Sequence, residues 1–329
     1  MRDTHHTLGV GIFGVVGIVV MLLTGCEGPP QWPQMYGGDW EPMVLERVLV
    51  TQTHRVSFAF NKPVYVNTAR LDPPVTVVES YWEDGMLHVV TDELLEAGEE
   101  YWMDAILRDD TGNLASMLVN FYGLNENMPE VLINEFVARG SGRNADFVEL
   151  RIMTAGNLGG ITVYNGSPSN WTSRIVLPAE DVEAGDFVVI HFREGRDDIL
   201  GALNFPVPDG TGLPTTSGGV TVTAFPDGPL LNAVLWSDRT YDPTSERRGF
   251  GTAAQLRIFE EVVALGGWTT RGDYVVPDDG IDPDGHTATR SINRYNDGRN
   301  TNSRDDWYIV NTGRASPGRQ NSEELYEFP

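Results

Sequence analysis

The sequence predicts an all-β protein built from two antiparallel β-sandwiches in tandem. Apolar residues recur with period two in short segments, as in strands with one buried face. Turn formers separate those segments, with 36 Gly and 20 Pro in the chain. At 329 residues the chain exceeds the roughly 100 that one sandwich needs, so a seam is expected.

Ahead of the sandwiches stands Leu8–Leu23 (LGVGIFGVVGIVVMLL), an uncharged apolar run behind Arg2. It is short for a membrane span and suits the hydrophobic region of an export signal. At its end, Leu23-Thr24-Gly25-Cys26 resembles the bacterial lipobox, in which small residues precede a cysteine that becomes a lipidated N-terminus. The resemblance implies that residues 1–25 are a lipoprotein signal peptide and that Cys26 is the lipidation site. It also implies an exported, membrane-anchored bacterial lipoprotein, periplasmic or at the cell surface. Several acyl chains on one residue give durable anchoring. Residues 26–43, containing EGPPQWPQMYGGDW, show no apolar period and read as a Pro/Gly-rich tether.

Residues 44–125 carry the first set of alternating segments. Val48 and Val50, Val56 to Phe60, Val75 and Val77, Leu87 and Val89, Tyr101 to Leu107, and Leu118 to Tyr122 each place apolar side chains on one face. Asn61-Lys62-Pro63, Asp72-Pro73-Pro74, Glu83-Asp84-Gly85 and Asp109 to Asn113 supply the turns. Arg55–Val64 (RVSFAFNKPV) and Leu94–Ala115 (LLEAGEEYWMDAILRDDTGNLA) resemble the bacterial Ig-like domain of exported proteins. That resemblance implies a sandwich and no chemistry.

Asn125–Pro129 is a polar break and marks the seam. Residues 126–321 then present an ordered set: Ile133-Asn134-Glu135-Phe136, Phe147-Val148-Glu149-Leu150, Leu177-Pro178, Gly185 to Val189, Ser291-Ile292-Asn293-Arg294, Asp306-Trp307, and Ser316-Pro317-Gly318 with Asn321. The set resembles the lamin-tail domain, an Ig-like sandwich also found in exported bacterial proteins. Residues 193–287 exceed what that sandwich requires. They read as inserted loops with one short helix over Thr252–Leu265. Residues 322–329 read as a frayed, disordered acidic tail.

Composition narrows the function. The net charge of −24 opposes binding to phosphate backbones, so no nucleic-acid partner is expected. Cys26 is the only cysteine, which excludes an internal disulfide and a Cys-based zinc site. His54, His88, His191 and His286 lie too far apart in sequence for a His-x-x-x-His pair. No nucleophile elbow or phosphate-binding loop is present.

The ionic candidate is Pro277–Gly285 (PDDGIDPDG), where Asp282 and Asp284 offer oxygen ligands for calcium and a solvated acidic turn is the competing reading. No other cofactor is implied. Glu135 and Glu149 sit inside apolar strands, and the lamin-tail resemblance implies that they belong to the fold's own pattern rather than to an acid/base pair. Arg271-Gly272-Asp273 spells an integrin-type tripeptide that chance also explains. Arginines from Arg290 to Arg319 match nearby carboxylates, and Trp236, Trp268 and Trp307 read as core or loop anchors.

The expected function is non-enzymatic. A lipid-anchored envelope or cell-surface protein would present its sandwiches to a protein or glycan. The other class considered is an accessory or divergent hydrolase acting on polysaccharide or phosphoester, because lamin-tail domains accompany hydrolases.

Overall fold

A computed structural model describes residues 41–142, 144–193 and 198–327. Cys26, the export segment and most of the tether lie outside them. By backbone proximity the chain divides into Met1–Glu41 and Pro42–Pro329, and the described strands belong to the second unit. No helix among the described residues is long and apolar enough to cross a membrane.

The protein is all-β, as its periodicity predicts. Strands β1 (Leu45–Gln52), β2 (Arg55–Phe60), β3 (Val64–Asp72), β4 (Val77–Glu83), β5 (Met86–Thr91), β6 (Glu100–Asp109) and β7 (Leu114–Tyr122) form the first sandwich. One sheet has the order β1-β2-β5-β4 and the other β3-β6-β7. Val56, Phe58, Leu87 and Val89 from the first meet Val64, Met103, Leu107 and Phe121 from the second in one core cluster. Each large side chain so buried contributes about 1.5–3 kcal/mol relative to exposure. In β6 the alternation is complete, with Tyr101, Met103, Ala105 and Leu107 inward and Trp102 and Ile106 outward.

Strand β3 is absent from the sequence reading, for a physical reason. A register shift between Val66 and Thr68 moves the inward set from Val64 and Val66 to Ala69 and Leu71, which breaks the period of two.

The second sandwich begins with β8 (Val131–Val137), β9 (Phe147–Ile152), β10 (Gly156–Asn157), β11 (Thr162–Ser167), β12 (Asn170–Val176), β13 (Asp181–Val182) and β14 (Phe187–His191). It continues with β15 (Leu203–Pro206), β16 (Ser217–Thr223), β17 (Leu230–Ser237), helix α1 (Ala253–Ala264), β18 (Ile292–Arg294) and β19 (Trp307–Ile309). A six-stranded sheet, β15-β14-β9-β8-β18-β19, packs on a four-stranded one, β12-β11-β16-β17, while β10 and β13 pair alone. Ile133, Leu150, Val163, Val222, Val234 and Trp236 share the core between them.

Residues 193–287 are therefore not only inserted loops. β16 and β17 are buried strands of the four-stranded sheet. The Gly218-Gly219 pair that suggests a loop is required by packing. A Cβ on Gly218 would stand 2.7 Å from Trp236 Cζ2, and one on Gly219 would stand 2.6 Å from a Leu235 methyl. The expected helix does form. The Thr252 side chain accepts from the Gln255 amide and the Gln255 side chain accepts from the Thr252 amide, a capping box.

The segment after Asn321 also departs from the expected frayed tail. Tyr326 donates its backbone N–H to Ile309 O at 2.8 Å, and Asn311 donates to Glu324 O at 2.7 Å. Strand β19 is the edge of its sheet, so its unpaired backbone groups are satisfied by the tail.

Candidate functional site

The dispersed residues Asn134, Glu135, Glu149, Arg294, Asp306, Ser316 and Asn321 converge in one buried polar network. Glu135 and Glu149 face each other on β8 and β9, both fully buried. Glu135 accepts from the Ser316 amide at 2.9 Å and from its hydroxyl at 3.0 Å. Glu149 accepts from Asn134 Nδ2 at 2.7 Å and from the Gly318 amide. Asn134 and Asn321 exchange side-chain hydrogen bonds, and Asn321 Nδ2 also donates to Arg294 O at 2.8 Å. The two glutamates are thus occupied in tethering the Ser316–Asn321 segment to the sheet.

Arg294 is the second buried anchor. Its Nε donates to Ile133 O at 2.7 Å and its Nη1 lies 3.3 Å from Asp306 Oδ2. Its guanidinium also stands 4.5 Å from the Trp307 ring, which meets Phe136 edge-on. Burial lowers the Arg294 pKa to about 10, with Asp306 opposing that shift.

The first two aspartates of the acidic loop are committed to backbone amides of neighbouring segments. Asp279 accepts from the amides of Arg271 and Val276, and Asp278 Oδ2 from the Tyr241 amide at 2.6 Å. Asp282 and Asp284 are exposed, with Asp282 Oδ1 accepting from the Asp284 amide at 2.9 Å. Among the described residues no group of three His, Cys, Asp or Glu is placed to hold a metal. His286 is buried, and its Nε2 accepts from the Ala138 amide at 3.1 Å. Burial, then the charges of Arg139 and Arg290, holds its pKa down to about 3, so the ring is neutral. Trp236 and Trp268 are buried and donate to Pro214 O and Asp279 O. Arg299 and Arg314 pair with Asp297 and Glu324.

The exposed chemistry gathers in the loops flanking α1. Tyr241 and Tyr274 are 40% and 49% exposed, yet their hydroxyls are 2.7 Å apart. Arg248 lies 5.2 Å from the Tyr274 ring, donates to Val275 O at 3.2 Å and pairs with Glu260 at 3.1 Å. Its φ of 54° and the φ of 98° at Gly249 fold the loop back on Thr240, whose carbonyl oxygen a Cβ at Gly249 would overlap. The exposed Arg271-Gly272-Asp273 adjoins Tyr274 in the same loop.

Two tyrosines and an arginine thus stand in fixed positions on a surface, the residue types that dominate protein interfaces. Sequence reasoning missed this trio because loop residues carry no period. Its only sequence signal was Tyr and Arg in an otherwise Asp-, Pro- and Gly-rich stretch.

The family model TP_1001_2nd, described as a protein second domain, matches residues 129–204 and 201–309. Among solved structures, a DUF4876 family protein from Bacteroides thetaiotaomicron is 13% identical with a TM-score of 0.34, covering 80% of this chain and 95% of that one. L,D-transpeptidase 3 from Mycobacterium tuberculosis is 12% identical with a TM-score of 0.18, covering 58% and 97%. At those scores neither likeness bears on fold or activity. No curated protein matches the chain.

Proposed function

This chain belongs to the TP_1001_2nd family through residues 129–309, and we propose that it is an exported, lipid-anchored surface protein whose second sandwich binds a protein partner. The uncharged run Leu8–Leu23 and the Leu23-Thr24-Gly25-Cys26 ending support export and a lipid on Cys26. Convergence of Glu135, Glu149, Arg294, Asp306, Ser316 and Asn321 in one network supports the lamin-tail-like reading of residues 126–321. The pattern of β6, with its turn at Asp109, supports the Ig-like reading of residues 44–125.

The observation that carries the binding role is the hydrogen-bonded Tyr241–Tyr274 pair beside Arg248. Exposed aromatic side chains held in one geometry lose little entropy on binding.

Two measurements test the reading. Protease shaving of intact cells degrades the wild type, while Cys26→Ala moves the chain to soluble fractions. Retention of that variant in membranes argues against the lipid anchor. A photoreactive benzoylphenylalanine at Tyr274 yields a discrete protein adduct on cells, and Arg248→Ala removes it. Adducts no stronger than from the same probe at Leu94, exposed on the first sandwich, exclude a protein-binding loop face.

A further inference from the structure

The four edge strands of the first sandwich are β1, β4, β3 and β7. Three carry the features that keep an edge from pairing with another chain. β1 has Glu46, Arg47 and two register shifts. β4 has Glu79, Glu83 and a shift between Val77 and Glu79. β3 has Arg70, Asp72 and its shift at Val66. β7 has none of them. Its sequence LASMLVNFY contains no charge, and it pairs with β6 from Leu114 to Tyr122 without a shift. Leu114 and Leu118 are 62% and 68% exposed, and on the outward face of β6 Trp102 and Ile106 stand beside them, alternating with Glu100, Asp104 and Arg108.

We propose that β7 pairs with β7 of a second copy, antiparallel, about a two-fold axis at Leu118. The residues of β7 facing outward are Leu114, Ser116, Leu118, Asn120 and Tyr122. That axis sets Leu118 against itself, Ser116 against Asn120 and Leu114 against Tyr122. Apolar residues therefore meet apolar ones, polar meet polar, and no like charges are opposed. Leu114 of the second copy also falls beside Tyr122, which lines an apolar crevice of about 450 Å³ with Val48, Val50, Leu124, Met128 and Phe225. Net charge selects the same strip. Two chains of −24 repel, and a charge-free strand gives them a line of approach.

A nine-residue strand is a small interface, so the dimer is weak, with a dissociation constant on the order of micromolar. The test is sedimentation velocity on residues 26–329 carrying Cys26→Ser, so that neither a lipid nor the apolar run Leu8–Leu23 drives association. A reversible dimer is expected that tightens as salt screens the repulsion. Leu118→Lys raises the dissociation constant at least about tenfold, since it opposes two charges at the axis, and its thermal melting is unchanged because Leu118 is exposed. In the same background, air oxidation of Leu118→Cys gives a disulfide-linked dimer and Leu114→Cys does not. A monomer at about 100 µM, well above the expected constant, overturns the proposal. So does a dimer that survives Leu118→Lys, or equal cross-linking by the two cysteine variants. A β7 edge reserved for a strand of a different protein gives the monomer result.

Discussion

Glu135 and Glu149 stand opposite each other across β8 and β9, fully buried, and each holds a different residue of the same C-terminal segment. Burial, then the charge of Glu135, raises the Glu149 pKa above its ordinary 4.5. Between 4.5 and that raised value the native state holds a proton that the unfolded chain has lost, so stability falls as pH rises through this window. Melting temperature measured from about pH 5 to 8 should decline in the wild type and decline less steeply in Glu149→Gln. Equal slopes would assign the dependence to another group. Glutamine accepts in place of one carboxylate oxygen only, so the variant should also lose about 1–3 kcal/mol.

Arg294 and Asp306 form a buried ion pair whose partners have no solvent to fall back on. Arg294→Met leaves Asp306 hydrogen-bonded to Thr301 but without a counter-charge in the core, and should destabilise by about 3–5 kcal/mol in denaturant unfolding. The double variant Arg294→Met with Asp306→Asn should recover part of that loss. No recovery would mean that the arginine acts through its bond to Ile133 O and its packing on Trp307 rather than through the charge of Asp306.

Lys62, the lone lysine, donates to Asp109 at 3.0 Å, while Asp109 accepts from Thr111 and Asn113 to shape the turn after β6. Burial opposes its ionisation, and hydrogen bonds from Asn113, Lys62 and Thr111 overcome that and hold the carboxyl well below its ordinary 3.8. Its contribution to stability is present above that ordinary value and is lost as pH falls. Asp109→Ala should lower the melting temperature more than Lys62→Met, because it strips every turn donor of its acceptor. The difference between wild type and Lys62→Met should narrow on acidification. A difference independent of pH would show that charge is not the cause.

Asp278 and Asp279 are engaged by backbone amides, which leaves Asp282 and Asp284 as the only exposed aspartates of their loop. Two carboxylates fall short of the six to eight oxygens that calcium prefers. Added calcium should therefore leave the melting temperature unchanged. A rise that Asp282→Ala with Asp284→Ala abolishes would establish a calcium site there.

Strands with strict alternation, such as β6, were legible because side-chain direction follows chain position with period two. The N-terminus of α1 was legible from Thr252, whose hydroxyl caps locally. β3 escaped because its bulge resets the period, and β16 because its glycines serve neighbouring side chains rather than a turn. Glu135 was visible as a polar residue among apolar ones, but its partner lies 181 residues away.

Sequence alone determined the all-β class and the acidic charge, since these follow from composition and local periodicity. Tertiary structure decided which buried carboxylate holds which segment, that Tyr241 meets Tyr274, and that β7 is the edge strand of the first sandwich with neither charge nor bulge. Those are contacts between residues distant along the chain. Burial and pairing depend on the neighbours that folding brings together, and a linear pattern records only what lies within a few residues.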